Sequence, residues 1–300
     1  MTKPGADAAW ADASDAARAR VRGGVWRMVV GLGAGAAVAF TWWRTMGPVA
    51  DLRPDVSVGL ATLAGILLIA ALGIQVLRTA VLIHDVPWRA LARPVIVGHG
   101  TNALFATAGD LLEVVLLSRL TGRSVPDILV QLLYRASTTA SVALAAVLVG
   151  AGPVGIALAV LGLATATLLG AFGTPTLTLA GRELPHIVPI GVGRAVTLVL
   201  VTVAQLVLVT GSVALAIVAV GGQPEAAVVA RAAGSIDLLS YVPVPLANVG
   251  LHHVGMTWSP GASPPNAWGA ALHHVITLGV GVLALSGGWL WPVYGWGRKG

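Results

Sequence analysis

The sequence predicts an all-α fold: a polytopic integral membrane helical bundle of two inverted halves, each with a re-entrant broken helix. Three observations predict it. Hydrophobic residues make up 56% of the 300-residue chain and charged residues only 10%. A soluble domain carries roughly a quarter charged residues, so this chain lacks the polar surface to face water all round. The apolar residues are gathered into runs that match the about 20 helical residues needed to cross a hydrocarbon core of about 30 Å. Lipid cannot satisfy backbone amides, so spanning segments are helices or closed barrels; continuous Leu, Ala, Val and Gly runs, rather than alternating ones, point to helices. Finally, two of the runs are interrupted by polar residues, glycines and prolines.

In chain order, residues 1–24 read as a cytoplasmic tail, disordered or a short surface helix, rich in Ala, Asp and Arg. The apolar run behind it ends in Phe40, Trp42 and Trp43, which suits an interfacial anchor better than the cleavage site of a signal peptide. Eight apolar stretches follow one another: Val25–Trp43, Val58–Ile83, Val95–Leu117, Ile128–Val149, Val154–Phe172, Ile190–Val220, Ala226–Val254 and Trp268–Trp291. Turn residues separate them at Gly47-Pro48, Gly150 to Pro153, Gly221 to Pro224 and Ser259 to Pro265. Ile190–Val220 exceeds what one crossing needs and predicts a tilt or an extra-membrane turn. Residues 293–300 read as a cytoplasmic C-terminal tail.

Two stretches depart from the rest. Val95–Leu117 holds His99, Asn102, Asp110 and Glu113 among Gly98, Gly100 and Gly109; Ala226–Val254 holds Arg231, Asp237, Pro243, Pro245 and Asn248 with Gly234 and Gly250. An unbroken lipid-facing helix does not carry so many polar and helix-breaking residues. Discontinuous segments that dip in and return on one side tolerate them where protein or water covers the backbone. With both stretches re-entrant and the N-terminus cytoplasmic, six spans remain. Arg78, Arg89, Arg93, Arg119, Arg123, Arg182, Arg194, Arg298 and Lys299 then fall inside, Arg44 and Arg53 outside, and Arg135 and Arg231 at membrane depth. Eight full crossings would move Arg119, Arg123, Arg182 and Arg194 outside, against the positive-inside rule. The expected membrane domain is therefore 25–292, with halves of about 25–149 and 154–291, in the plasma (inner) membrane with both termini cytoplasmic. Opposed broken helices meeting near the midplane are a transporter arrangement.

The stretch GHGTNALFATAGDLLEVVLLSRLTGRSVPDILVQLLYR, residues 98–135, resembles the flippase-like membrane family named after the transmembrane region of lysylphosphatidylglycerol synthase. Asn102 matches that family's Asn, Gly109-Asp110 stands for its Gly-Glu, and Arg135 matches the Arg of a helical Glu-Arg pair. Residues 241–255, YVPVPLANVGLHHVG, are similar to its Pro- and Gly-rich turn ending in Gly-x-x-Glu. The following helix, with AALHHVITLGVG, falls where the family carries another Arg. The likeness extends from Val25 to Trp291 in order and spacing. It implies an integral membrane protein that moves lipids of aminoacylated or isoprenoid type between leaflets. The synthase proper adds a large soluble transferase domain for which these residues leave no room, so synthesis of that lipid is not expected here. The sequence also departs from the pattern: Glu113 stands where the first Arg is expected, Tyr134 replaces the Glu of the pair, and His253 and His274 occupy the second-half Glu and Arg positions.

Several residues have two readings. Asp110 and Glu113, three apart, share a helix face and are either a proton or cation site at membrane depth or a solvated cluster beside Arg119 and Arg123. Arg135 either snorkels to the cytoplasmic face or pairs internally with Asp110 or Glu113; its neighbours Tyr134, Ser137, Thr138 and Thr139 favour an internal partner or a clamp on a lipid phosphate. Arg231 and Asp237, six apart, each need a partner on another segment. His252-His253 and His273-His274 fit titratable pairs lining a cavity better than zinc, which wants three or four ligands at defined spacing. His84, His99 and His186 read as interfacial or structural.

The expected substrate site comprises Asn102, Asp110, Glu113, Arg135, Arg231, Asp237, Asn248, His253 and His274. No metal and no cofactor is expected. The absence of cysteine excludes disulfides and thiolate chemistry, and no P-loop, dinucleotide fingerprint or GxSxG elbow occurs. The net charge of +6 belongs to cytoplasmic loops facing anionic lipid, not to nucleic-acid binding, because no basic run is interleaved with aromatics. The expected partners are the bilayer and a membrane lipid or other amphiphile, with homo-oligomerisation left open. Transport is expected rather than catalysis. The alternatives are an intramembrane enzyme on an isoprenoid or other lipid-soluble substrate, and a non-transporting partner that stabilises a membrane complex.

Overall fold

The computed structural model describes residues 55–104, 108–148, 152–175, 178–179, 182–183, 186–239 and 264–290. Eight helices carry these residues: α1 (Val58–Leu82), α2 (Trp88–Leu104), α3 (Ala108–Thr121), α4 (Val125–Val147), α5 (Gly152–Phe172), α6 (Val192–Ala219), α7 (Ala226–Leu239) and α8 (Pro264–Leu290). A two-residue antiparallel pair, β1 (Thr178–Leu179) and β2 (Arg182–Glu183), sits in the α5–α6 connection. The expected first span, Val25–Trp43, and both tails lie outside the described residues.

Local sequence sets the boundaries. Ser124 caps α4, its Oγ accepting from the Asp127 amide at 3.3 Å, with Pro126 in the first turn where a missing amide costs nothing. Gly173 and Gly221, both at positive φ, close α5 and α6. Their left-handed backbone is easiest for glycine. Five helices are long and apolar enough to cross a membrane: α1, α4, α5, α6 and Ala271–Gly288 within α8. At 28 residues, α6 is about 42 Å long and needs tilt to fit.

Beside its apolar core, the bundle exposes large apolar side chains and buries charged ones, unlike a soluble protein. Leu63, Ile66 and Ile69 of α1 and Val154, Ile156 and Leu158 of α5 are exposed, whereas Arg78, Glu113, Gln131, Arg135, His273 and His274 are buried. Only a hydrocarbon surround makes that distribution favourable, since polar groups then seek one another inside. The chain is a multi-pass membrane protein.

The remaining helices are short. α2 and α3 have 17 and 14 residues, about 25 and 21 Å, and α7 has 14. α2 and α3 pack against each other as an antiparallel hairpin. A Cβ on Gly98 would lie 2.9 Å from Glu113 Cβ and 3.0 Å from the Gly109 carbonyl, so glycine lets the two backbones touch. Asp85, just before α2, and Arg123, just after α3, are bonded at 2.9 Å, so both ends of the hairpin lie together. The sequence suggested one broken stretch, Val95–Leu117; the structure extends it outward to two helices over 88–121.

Around this hairpin, α1 lies along α6, α2 against α8, and α4 against α5 and α7. The Ser57 amide donates to the Ala219 carbonyl at 2.8 Å and Ser212 Oγ donates to the Ala64 carbonyl at 3.0 Å. These pairings, 57 with 219 and 64 with 212, make α1 and α6 antiparallel.

Candidate functional site

Arg135 lies at the middle of the 23-residue α4, the costliest depth for a charge. Its Nη1 donates to Glu113 Oε1 at 2.6 Å and its Nη2 to Glu113 Oε2 at 2.9 Å, while Nη1 also donates to Thr79 Oγ1 at 2.6 Å. Glu113 is 1% exposed. An arginine stays charged in any protein, so a two-pronged carboxylate is the partner that best offsets its burial. Of the two acids offered by the sequence, the one that pairs with Arg135 is Glu113; a solvated surface cluster is excluded for it.

Asp110, one turn earlier, has another role. Asn102 Nδ2 donates to Asp110 Oδ1 at 2.7 Å, and the Asp110 amide donates to Asn102 Oδ1 at 3.2 Å. This reciprocal clasp joins α2 to α3, and Asp110 lines the space beyond it.

That space is a cavity of about 350 Å³ bounded by α1, α2, α3, α4, α6, α7 and α8. Its ionisable wall groups are Arg78, His99, Asp110, Arg135, Asp237, His273 and His274, and its neutral polar groups include Gln75, Asn102, Thr139, Gln205 and Thr277. Arg78 Nη1 donates to Gln205 Oε1 at 2.6 Å, and Nη2 donates to the Arg135 carbonyl at 3.1 Å and to Thr139 Oγ1. Asp237, near the inner end of α7, is within electrostatic reach of Arg78. Together these bonds tie α1, α4 and α6 into one polar floor.

Of the site residues expected from sequence, Asn102, Asp110, Arg135, Asp237 and His274 share this cavity. Glu113 stands behind the wall, reached through Arg135. Arg231, six residues before Asp237 on α7, does not line the cavity. Asn248 and His253 lie outside the described residues. Two contributors stand elsewhere than the sequence suggests. Arg78 was counted among the cytoplasmic charges, yet α1 continues past it to Leu82 and it is buried. His99 belongs to the wall, although the sequence reads it as interfacial or structural, and His273 lines the cavity beside His274. Gln75 and Gln205 were missed altogether, although a glutamine inside an apolar run is a signal that can be read from sequence.

Fold and site together define a multi-pass membrane protein with a cavity between its helices whose walls carry polar and ionisable groups among apolar ones. No protein-family model matches the chain, and no curated protein sequence matches it.

Proposed function

We propose that this chain is a flippase-like translocase of a lipid or other amphiphile, related to the family it resembles, and that the cavity holds the cargo's head group. The observation that carries this reading is the conjunction of a chamber walled by Arg78, Asp110, Arg135 and Asp237 with helices whose outer faces are leucine, isoleucine and valine. A head group needs the first and its chains need the second.

On this reading α2–α3 is re-entrant. Each helix is shorter than the about 20 residues a crossing takes, and the Asp85–Arg123 bond keeps both ends on one side. Support for a second such segment comes from α6: the Gly222 amide donates to the Ile217 carbonyl at 2.9 Å, and a Cβ on Gly269 would lie 2.6 Å from Ile217 Cγ1. The chain thus leaves α6 and joins α8 at the same end, opposite the base of α2–α3. Antiparallel α1 and α6, with α2 against α8 and α7 against α4, fit two halves inserted in opposite senses. Arg89, Arg93, Arg119, Arg123 and Arg194 gather toward the base of the first hairpin, and Asp55 and Glu225 toward the other end. The positive-inside rule makes the basic end cytoplasmic, with both termini on that side of the inner membrane. Alternating access follows from one half rocking against the other.

The test is leaflet exchange of fluorescent phospholipids and polyprenyl phosphates in proteoliposomes. Exchange above protein-free vesicles, reduced at least tenfold by Asp110→Asn, is expected; absence of exchange for every lipid tried overturns the reading.

A second reading, an intramembrane enzyme, is favoured by the gathering of His99, His273 and His274 with Asp110 and Asp237 on one wall, a set suited to acid–base work. Turnover of a prenyl substrate by purified protein, abolished by His274→Ala, decides for it; unchanged substrate decides against.

A further inference from the structure

Most of the cavity wall is buried or half-buried helix, but one side is not. Leu111 of α3 and Leu133 of α4 both line the cavity, yet they are 63% and 58% exposed. Leu129 joins them as an exposed wall residue one turn below Leu133. Asp110, also exposed, stands at the inner edge of the same opening, and the Glu113–Arg135 pair crosses behind it. The cavity therefore opens sideways, through the seam between α3 and α4, and the lip of that opening is leucine. A water-filled mouth would be lined with polar groups, whereas this lip matches hydrocarbon.

We infer that the α3–α4 seam is a lateral portal occupied by an alkyl chain: the cargo's head group lies in the chamber beside Asp110 while its chain runs out past Leu111 and Leu133 into the bilayer. The inference rests on the translocase reading for its purpose but not for its test. Volume agrees, since about 350 Å³ lies near the lower end of the roughly 300–1,000 Å³ range of small-molecule pockets, enough for a head group without its chains. The seam flanks the half of α4 nearest the hairpin base, so the portal serves the leaflet on that side. The cargo class is an amphiphile with at least one alkyl chain; a fully water-soluble solute has no use for a leucine-lipped doorway.

The experiment uses the full chain reconstituted in vesicles of phosphatidylcholine and phosphatidylglycerol, then released for native mass spectrometry. Wild-type protein is expected to carry bound phospholipid. Leu111→Trp with Leu133→Trp, which fills the seam, is expected to carry at least tenfold less, and Ile156→Trp, on an exposed face of α5, is expected to match wild type. Because the chain has no cysteine, Leu133→Cys modified with a bulky maleimide after folding in detergent closes the seam without burdening folding, and the same loss is expected. Lipid retained equally after closure, or no lipid on the wild type, overturns the portal. So does a stable dimer that closure splits into monomers, because the seam is then a subunit contact. Seam-dependent lipid binding without leaflet exchange keeps the portal and removes the translocase reading. Exchange that survives closure does the reverse.

Discussion

At its base the α2–α3 hairpin is closed by Arg123 and Asp85, 2.9 Å apart and both partly open to solvent. Midway along α3, Glu113 meets Arg135 at 2.6 and 2.9 Å with almost no exposure. The chemistry is the same and the physics is not. The outer pair sits in a high dielectric, where water competes for both partners and salt screens them. The inner pair has been stripped of water, so each charge depends on the other. The outer pair marks where the hairpin begins and ends; the inner pair decides where it docks.

Breaking the inner pair gives the largest expected effect. Glu113→Ala leaves a buried guanidinium without its carboxylate and is expected to cost about 3–5 kcal/mol, seen as a large drop in thermal unfolding temperature in detergent. Glu113→Leu with Arg135→Met is expected to recover most of that loss, because an apolar pair of similar size removes the desolvation penalty at both ends. A double variant as unstable as the single one would show that the pair does more than neutralise itself.

Next in size is the hairpin's internal fit. In Gly109→Ala the new Cβ meets the Gly98 carbonyl and the Asn102 side chain, so the helices must part. About 1–3 kcal/mol of destabilisation is expected, together with faster proteolysis within 88–121; an unchanged cleavage rate would contradict the close packing. Tyr134→Phe is smaller. It removes the 2.9 Å bond from Tyr134 Oη to the Ala166 carbonyl that links α4 to α5, an expected loss of about 1 kcal/mol in the same melting assay. Smallest is Asp85→Asn, expected to cost about 0–1 kcal/mol, with any effect fading in high salt. A cost equal to that of Glu113→Ala would erase the distinction between the two pairs.

The sequence went far on the bundle and less far on the site. Five of the six expected spans correspond to helices long and apolar enough to cross, and the sixth lies outside the described residues. Hydropathy carries that information because a lipid surround demands it of every residue in a span. Asn102, Asp110, Arg135, Asp237 and His274 were also legible, since a polar residue in an apolar run is costly enough to announce itself. Arg78 was not, because four residues from a helix end a charge can either snorkel outward or turn inward, and only its neighbours Gln205 and Thr139 decide which.

Composition and hydropathy alone determined that this chain is helical and resides in a membrane, because the bilayer imposes a one-dimensional rule that each segment obeys on its own. Which acid takes Arg135, whether Arg78 turns inward, and on which side that chamber opens were decided by tertiary structure alone. Those choices depend on helix rotation and on the approach of segments far apart in sequence, such as 78 to 205 and 113 to 135, and no local pattern encodes them.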